Sequence, residues 1–251
     1  MSLKPYIYVL TIAYDGTNYS GWQRQPHLTS IQEVIEKAIQ TITREKVPLI
    51  GSSRTDAGVH ALDQVAHFRT SKEIDTGRLF KALNGLLPPD IRILQIKTGT
   101  QDFHAQKNAQ AKIYHYHITT KPFVMPSERL YTTHIRKEID LALLEKAAKK
   151  FVGTHDFTSF ANKASEGAAS KNAVRTIFRI DVVTTKHGFR LEFEGSGFLY
   201  KMVRNIVGML LEVASHKRPF EEIDSLFKAK NRRLAPTAAP AQGLFLVKVV
   251  Y

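Results

Sequence analysis

Gly51-Ser52-Ser53-Arg54-Thr55-Asp56-Ala57-Gly58-Val59-His60-Ala61 lies between two runs of β-type residues. Val47-Pro48-Leu49-Ile50 precedes it and Gln64-Val65-Ala66-His67-Phe68 follows it. Small, polar and charged residues fill the interval. Asp56 and Gly58 supply turn chemistry, because both accept backbone conformations that other residues resist. The stretch reads as a loop between two strands, with Arg54 and Asp56 on it. Rigid scaffolds tend to present reactive groups on such loops. Spacing alone favours the plainer description, an ordinary hairpin turn that contains an aspartate.

Working outward toward the N-terminus, Tyr6–Tyr14 is rich in β-branched and aromatic residues and stops at Asp15-Gly16, which predicts a strand and a turn. The following loop, Asp15 to Pro26, mixes glycines, amides, Trp22 and Arg24. Loops of this kind can stack on bases and hydrogen-bond phosphates, so Trp22 and Arg24 are candidate substrate-binding residues. A lone tryptophan is more often a buried packing anchor than a stacking platform. Ser30-Ile31-Gln32-Glu33 is a capping box. The spacing of Ile31, Val34, Ile35, Ala38, Ile39 and Ile42 predicts the helix behind it, with Glu36, Lys37 and Gln40 on the opposite side. Beyond the central loop, Asp75-Thr76 opens a second helix carrying Leu79, Leu83 and Leu86, and Pro88-Pro89 ends it. Ile91–Ile96 is a further strand.

The second half begins with the strand-like run Ala109 to Ile118, which sets Tyr114 and Tyr116 on one face and His115 and His117 on the other. Asp140 caps a helix with Leu141, Leu144, Ala148 and Phe151 on one side, closed by Gly153. Asn162 to Asn172 is a loop containing Lys163 and Lys171. Val174–Ile180 and Phe189–Phe193 are strands joined around His187-Gly188. A helix is expected over residues 198–214, with an apolar stripe of Leu199, Met202, Val203, Ile206, Leu210 and Val213. Lys201, Arg204, Asn205 and Gly208 form a second stripe on it. Gly208 would let something approach that helix closely. A short helix over 221–230 and a closing strand, Leu244–Val250, complete the chain. Each half repeats a strand, a helix, two strands, a helix and a strand, the order of the split βαβ or ferredoxin-like unit. The expected fold is therefore α+β, with two similar halves, 1–105 and 106–251. Their helices would pack on antiparallel sheets, with a basic cleft between the halves.

Composition narrows the chemistry. In 251 residues, Lys plus Arg total 36 against 23 acidic residues, a formal charge of +13, which favours a polyanionic partner. The basic residues are spread along the chain, as in a folded cleft rather than a disordered arm. There are no cysteines, so disulfides, thiolate nucleophiles and thiolate zinc sites are excluded. No secretory core or long apolar run appears, and the expected location is cytoplasmic, without a membrane. No HExxH, GxGxxG, GxxxxGK[ST] or GxSxG pattern occurs, so neither a metal nor a nucleotide cofactor is expected. What remains is a carboxylate on a loop. Asp56 has Arg54 two positions away, and a neighbouring cation favours the ionised form, which can act as nucleophile or general base. From the residues alone, Asp56 is one candidate among many acidic side chains.

Arg54-Thr-Asp-Ala-Gly-Val-His60 resembles the catalytic signature of the tRNA pseudouridine synthase A family. Other segments agree. Tyr14 to Gln25 resembles the family's first loop, and Lys112-Ile-Tyr114-His-Tyr116 its tyrosine segment. Asp156–Phe160 is a further match, Phe198 to Gly208 resembles its basic helix, and Gly243–Val247 its last strand. The resemblance spans nearly the whole chain in order. The loop over 162–172 departs from the pattern, and Lys112-Ile113 stands where a more basic pair is expected.

The resemblance implies a cofactor-free isomerisation of uridine to pseudouridine at positions 38, 39 and 40 in the anticodon stem-loop of tRNA, by a homodimer. It assigns catalysis to Asp56, acting as nucleophile or base. Arg54 would extrude or replace the target nucleotide, Tyr114 would stack on the flipped uracil, and Arg204 would pair with Asp56. Periodicity by itself describes Tyr114 as a sheet aromatic and Arg204 as a solvated helix charge. Two other readings are an RNA-binding protein of ferredoxin-like architecture without catalysis, and a synthase acting at another RNA position.

Overall fold

The computed structural model describes residues 5–162 and 172–251, so Lys163 and Lys171 and most of the loop expected around them lie outside it. Along the chain run β1 (Tyr6–Tyr14), α1 (Ile31–Thr43), β2 (Ile50–Gly51), β3 (His60–Thr70), α2 (Thr76–Leu86), β4 (Ile91–Thr98) and β5 (Ala111–Thr119). Next come β6 (Thr133–His134), α3 (Leu141–Lys149), β7 (Gly153–Asp156), β8 (Val174–Thr185) and β9 (Gly188–Gly195). The chain ends with α4 (Met202–Ala214), α5 (Glu222–Ala229) and β10 (Leu244–Val250). The fold is α+β. Two compact units comprise Met1–Gln110 with Leu246–Tyr251, and Ala111–Phe245.

In the first unit the sheet order is β4-β1-β3-β10, with β2 paired to β3. β1 is antiparallel to both neighbours, with Tyr8 opposite Phe68 and Tyr14 opposite Ala61. The register slips between Ile12 and Tyr14, an irregularity at the end of β1 where the chain leaves the sheet for the loop that starts at Asp15. Ser30 caps α1 by accepting the Glu33 N–H, and Asp75 caps α2 by accepting that of Arg78. Ile31, Ile35 and Ile39 of α1 and Leu79 and Leu83 of α2 are buried, with Leu10, Ile12 and Phe68 of the sheet.

Three details differ from expectation. β2 is only Ile50–Gly51, because Val47 and Leu49 are buried through irregular backbone that pairs with no strand. Leu86 is 51% exposed, since α2 ends there and Leu87 turns inward instead. Glu36, expected on the solvent side of α1, is buried and accepts the Leu49 N–H at 2.8 Å.

In the second unit β5-β9-β8-β7 form an antiparallel sheet, and β6 runs parallel to β5. Tyr114 and Tyr116 are buried on one face of β5, while His115 and His117 are half-buried on the other, as their alternation predicts. Phe151, Phe157 and Phe160 build an aromatic core with Phe227. β6 and β7 were not expected, being too short to show a period. α4 begins at Met202, later than 198, because Lys201 takes a left-handed conformation (φ 59°) that precludes an earlier helical turn. Nearly the whole of α4 is buried, and protein covers its second stripe as well: Asn205 is 0% exposed.

Candidate active site

The central loop is held by backbone rather than by bulk. Thr55 C=O accepts the Trp22 N–H at 3.0 Å, and the Thr55 hydroxyl meets the Tyr14 hydroxyl at 2.8 Å. Val59 N–H returns to Asp56 C=O at 3.1 Å, closing a four-residue turn in which Gly58 has φ 75°. That angle favours glycine over any residue with a Cβ. Before the turn, Gln64 is fully buried and bonds Ser53 twice. Its Oε1 accepts the Ser53 N–H at 3.1 Å, and its Nε2 donates to the Ser53 C=O at 2.8 Å. A side chain here does the work of a missing strand neighbour. The residues on either side of Arg54 are thus fixed. Arg54 itself is exposed and Asp56 is half-buried.

The first loop packs onto this turn so closely that two glycines are obligatory. A Cβ on Gly16 would sit 2.0 Å from Val59 O, and one on Gly21 (φ 93°) 2.6 Å from Thr55 O. Gly16 N–H donates to His60 Nδ1 at 3.1 Å, and Asp15 Oδ1 lies 3.1 Å from the same nitrogen. Asp15 Oδ1 also accepts the Thr17 N–H (2.9 Å) and hydroxyl (2.6 Å). His60, which ends the motif, is the residue through which the two loops meet. Its burial is the signal that alternation in so short a run could not give.

Trp22 is 2% exposed and lies against Gly51, where a Cβ would stand 2.5 Å from its ring, and 6.0 Å from the Tyr14 ring. It anchors the loop from beneath. Arg24 is half exposed and forms an ion pair with the buried Glu36, which also receives Gln32 Nε2 at 3.3 Å.

In the second unit Tyr114 is buried and meets the Phe198 ring edge to face at 5.2 Å. Lys112, two residues earlier, is on the same face of β5. Burial, and then the nearby Arg175 charge, pull its ammonium group down to about 8. Tyr116 Oη donates to Pro240 C=O at 2.8 Å and meets the Thr133 hydroxyl at 2.7 Å; burial raises its pKa. Arg204 projects from the first turns of α4, its Nε donating to Ala239 C=O at 2.8 Å. Among the described residues, no three His, Asp or Glu side chains are grouped so as to hold a metal ion, and no helix is long and apolar enough to cross a membrane.

With this geometry in place, the likeness to known proteins is informative. The family model for tRNA pseudouridine synthase matches residues 10–108 and 147–251. A tRNA pseudouridine synthase A 1 of Protochlamydia amoebophila is 57% identical over 97% of this chain and 96% of its own length. The tRNA pseudouridine synthase A of Chlamydia muridarum is 44% identical over 97% of this chain and 91% of its own. That of Thermoanaerobacter pseudethanolicus is 43% identical over 97% and 98%. Such spans define an RNA-modifying isomerase, one that converts uridine into pseudouridine. The chain belongs to the tRNA pseudouridine synthase A family, whose members carry out that conversion in tRNA.

Proposed function

We propose that this chain forms pseudouridine at positions 38, 39 and 40 in the anticodon stem-loop of tRNA, with Asp56 as the catalytic nucleophile or base. The observation that carries the reading is a half-buried carboxylate on a turn whose neighbours, Ser53, Thr55 and Gly58, are all tied down by hydrogen bonds. Preorganisation of that kind suits a group that must meet one reacting atom. The reaction breaks the bond from the sugar to ring nitrogen, turns the uracil in its pocket and rejoins it through carbon 5, which gives up its proton to water while the freed nitrogen takes one up. Atoms balance without a co-reactant, so no cofactor is needed.

In this reading Arg54 helps extrude the target nucleotide or fills its place, which agrees with its exposure. Tyr114 stacks on the everted uracil, and Arg204 is the cation of the reacting centre. Arg24 and Trp22 belong to the substrate-binding loop, Arg24 through its exposed portion and Trp22 by holding the loop in shape. Each unit is a ferredoxin-like half, as the order β1-α1-β2-β3-α2-β4 suggests for the first, and the RNA lies in a basic cleft, in keeping with the +13 charge. The working form is a cytoplasmic homodimer.

The test uses unmodified tRNA tritiated at uracil carbon 5. Wild-type protein releases tritium to water, and Asp56→Asn releases none while binding tRNA within a few-fold of wild type. Intact binding without release by the wild type would mean an RNA-binding protein, and pseudouridine lost from a position other than 38, 39 or 40 in a deletion strain would mean another target position.

A further inference from the structure

Residues 232–240, Arg-Arg-Leu-Ala-Pro-Thr-Ala-Ala-Pro, contain no regular secondary structure and two prolines, yet they are fastened at every stage to groups of the second unit, Arg204 among them. At the near end the Arg232 guanidinium donates to Asn205 Oδ1 at 2.7 Å, to Asn162 Oδ1 at 3.3 Å and to Ala235 C=O at 3.0 Å. In the middle, Thr237 C=O rests on Gly208, so near that a Cβ there would stand 2.3 Å from the oxygen. Gly208 is one helical turn beyond Arg204, on the same face of α4. Next, Ala239 grips Arg204 from both sides of its own peptide: its N–H donates to Arg204 C=O at 2.9 Å, and its C=O accepts Arg204 Nε at 2.8 Å. At the far end, Pro240 C=O accepts the Tyr116 hydroxyl at 2.8 Å, on the strand and face that carry Tyr114.

We infer that this segment is a strap that sets the plane of the Arg204 guanidinium and its spacing from Tyr114, and that Gly208 and Arg232 are positioning residues for the isomerisation. The inference rests on the proposed role of Arg204. The physical argument is one of registration. An arginine on a helix has many rotamers, and an Nε bond to a fixed carbonyl selects those with one guanidinium plane. The carbonyl is itself fixed only while the strap lies flat on α4, which requires glycine at 208 and the Arg232 tie at its start. The prolines add stiffness, because each fixes its own φ. A Cβ at 208 forces the strap off by about 1 Å to regain ordinary contact distance, and misplacement on that scale costs about 10- to 100-fold in rate.

The experiment measures single-turnover pseudouridine formation on unmodified tRNA with saturating enzyme, tRNA affinity by filter binding, and folding by circular dichroism. The variants are Gly208→Ala and Arg232→Gln, each alone and combined with Arg204→Lys. Lysine has no Nε for Ala239 to orient. Both single variants are expected to slow the reaction by about 10- to 100-fold with tRNA affinity within twofold. In the Arg204→Lys background either change should cost less than threefold, a coupling that general damage to the fold does not produce. A wild-type rate in either folded variant overturns the strap. So does an equal loss in both backgrounds, or a loss that only follows the unfolded fraction. If Gly208→Ala does not fold, Arg232→Gln carries the same comparison. A wild-type rate for Arg204→Lys alone would refute the role of Arg204 instead.

Discussion

Replacing Gln64 by leucine probes the way the loop from Arg54 to His60 is held. The glutamine is fully buried and spends its amide on the Ser53 N–H and C=O, at 3.1 and 2.8 Å. Leucine is close in size and cannot do either. Two neutral hydrogen bonds vanish and two backbone groups lose their partners in a site without exposure, at about 1–3 kcal/mol apiece. The added apolar burial returns about 1 kcal/mol. The net expectation is a loss of about 3 kcal/mol, or a fall in Tm of about 6–12 °C for a chain of this length. Because Ser53 directly precedes Arg54, single-turnover activity at a temperature where the variant is folded should fall as well, with tRNA affinity within a few-fold. Thermal melting followed by circular dichroism checks the first part and tritium release the second. A Tm within about 2 °C of wild type would show that Ser53 finds other partners, and the account of Ser53 held by the Gln64 amide would be wrong.

Gly16→Ala should disrupt the motif, because its methyl group would lie 2.0 Å from Val59 O and only backbone can yield; Gly85→Ala on exposed α2, with nothing within 4 Å, should instead stabilise by about 0.5–1 kcal/mol. Parallel denaturant titrations compare the two, and a similar response from both would remove the case for close loop packing. His67 supplies a pH test: it is buried, its Nδ1 accepts the Ala105 N–H at 3.2 Å, and burial followed by the His104 and Arg69 charges lowers its pKa from 6.5 to about 4. A lowered folded-state pKa means stability that is present above pH 6.5 and lost as pH falls toward 4, by up to about 3 kcal/mol, since the unfolded chain takes up a proton that the folded one refuses. His67→Gln should flatten the stability profile between pH 6.5 and 5, and an unchanged slope would assign the loss to other groups.

Much of the frame was legible where one local rule suffices. Ser30, Asp75 and Asp140 each cap the helix expected of them, because a cap depends on a few consecutive residues. The alternation of Tyr114, His115, Tyr116 and His117 gave their faces correctly. Where the reading of a polar side chain fails, its partners are remote in sequence. Glu36 looks like a surface helix residue until Leu49 N–H and Arg24 are brought to it. Asn205 falls on the second stripe of its helix, and the groups that meet it there, Arg232, Asn162 and Phe160 C=O, come from distant parts of the chain. Gly208 was read as a point of close approach, and Thr237 is what approaches. Motif likeness singles out Asp56 and Arg54, but the hydrogen bonds by which Gln64 and His60 hold that loop in the first unit, and those that fasten residues 232–240 in the second, are long-range and leave no periodic trace.

The placement of β10 has a consequence for biosynthesis. The strand that opens with His60 borders β10, whose residues from Leu246 belong to the first unit although they are made last. At ~5–20 residues per second, ~10–40 s separate translation of β3 from that of its neighbour. Through that interval one edge of the sheet bearing the motif offers unpaired N–H and C=O groups to whatever passes, and the half of the protein that emerges first is the half that must wait longest to be finished.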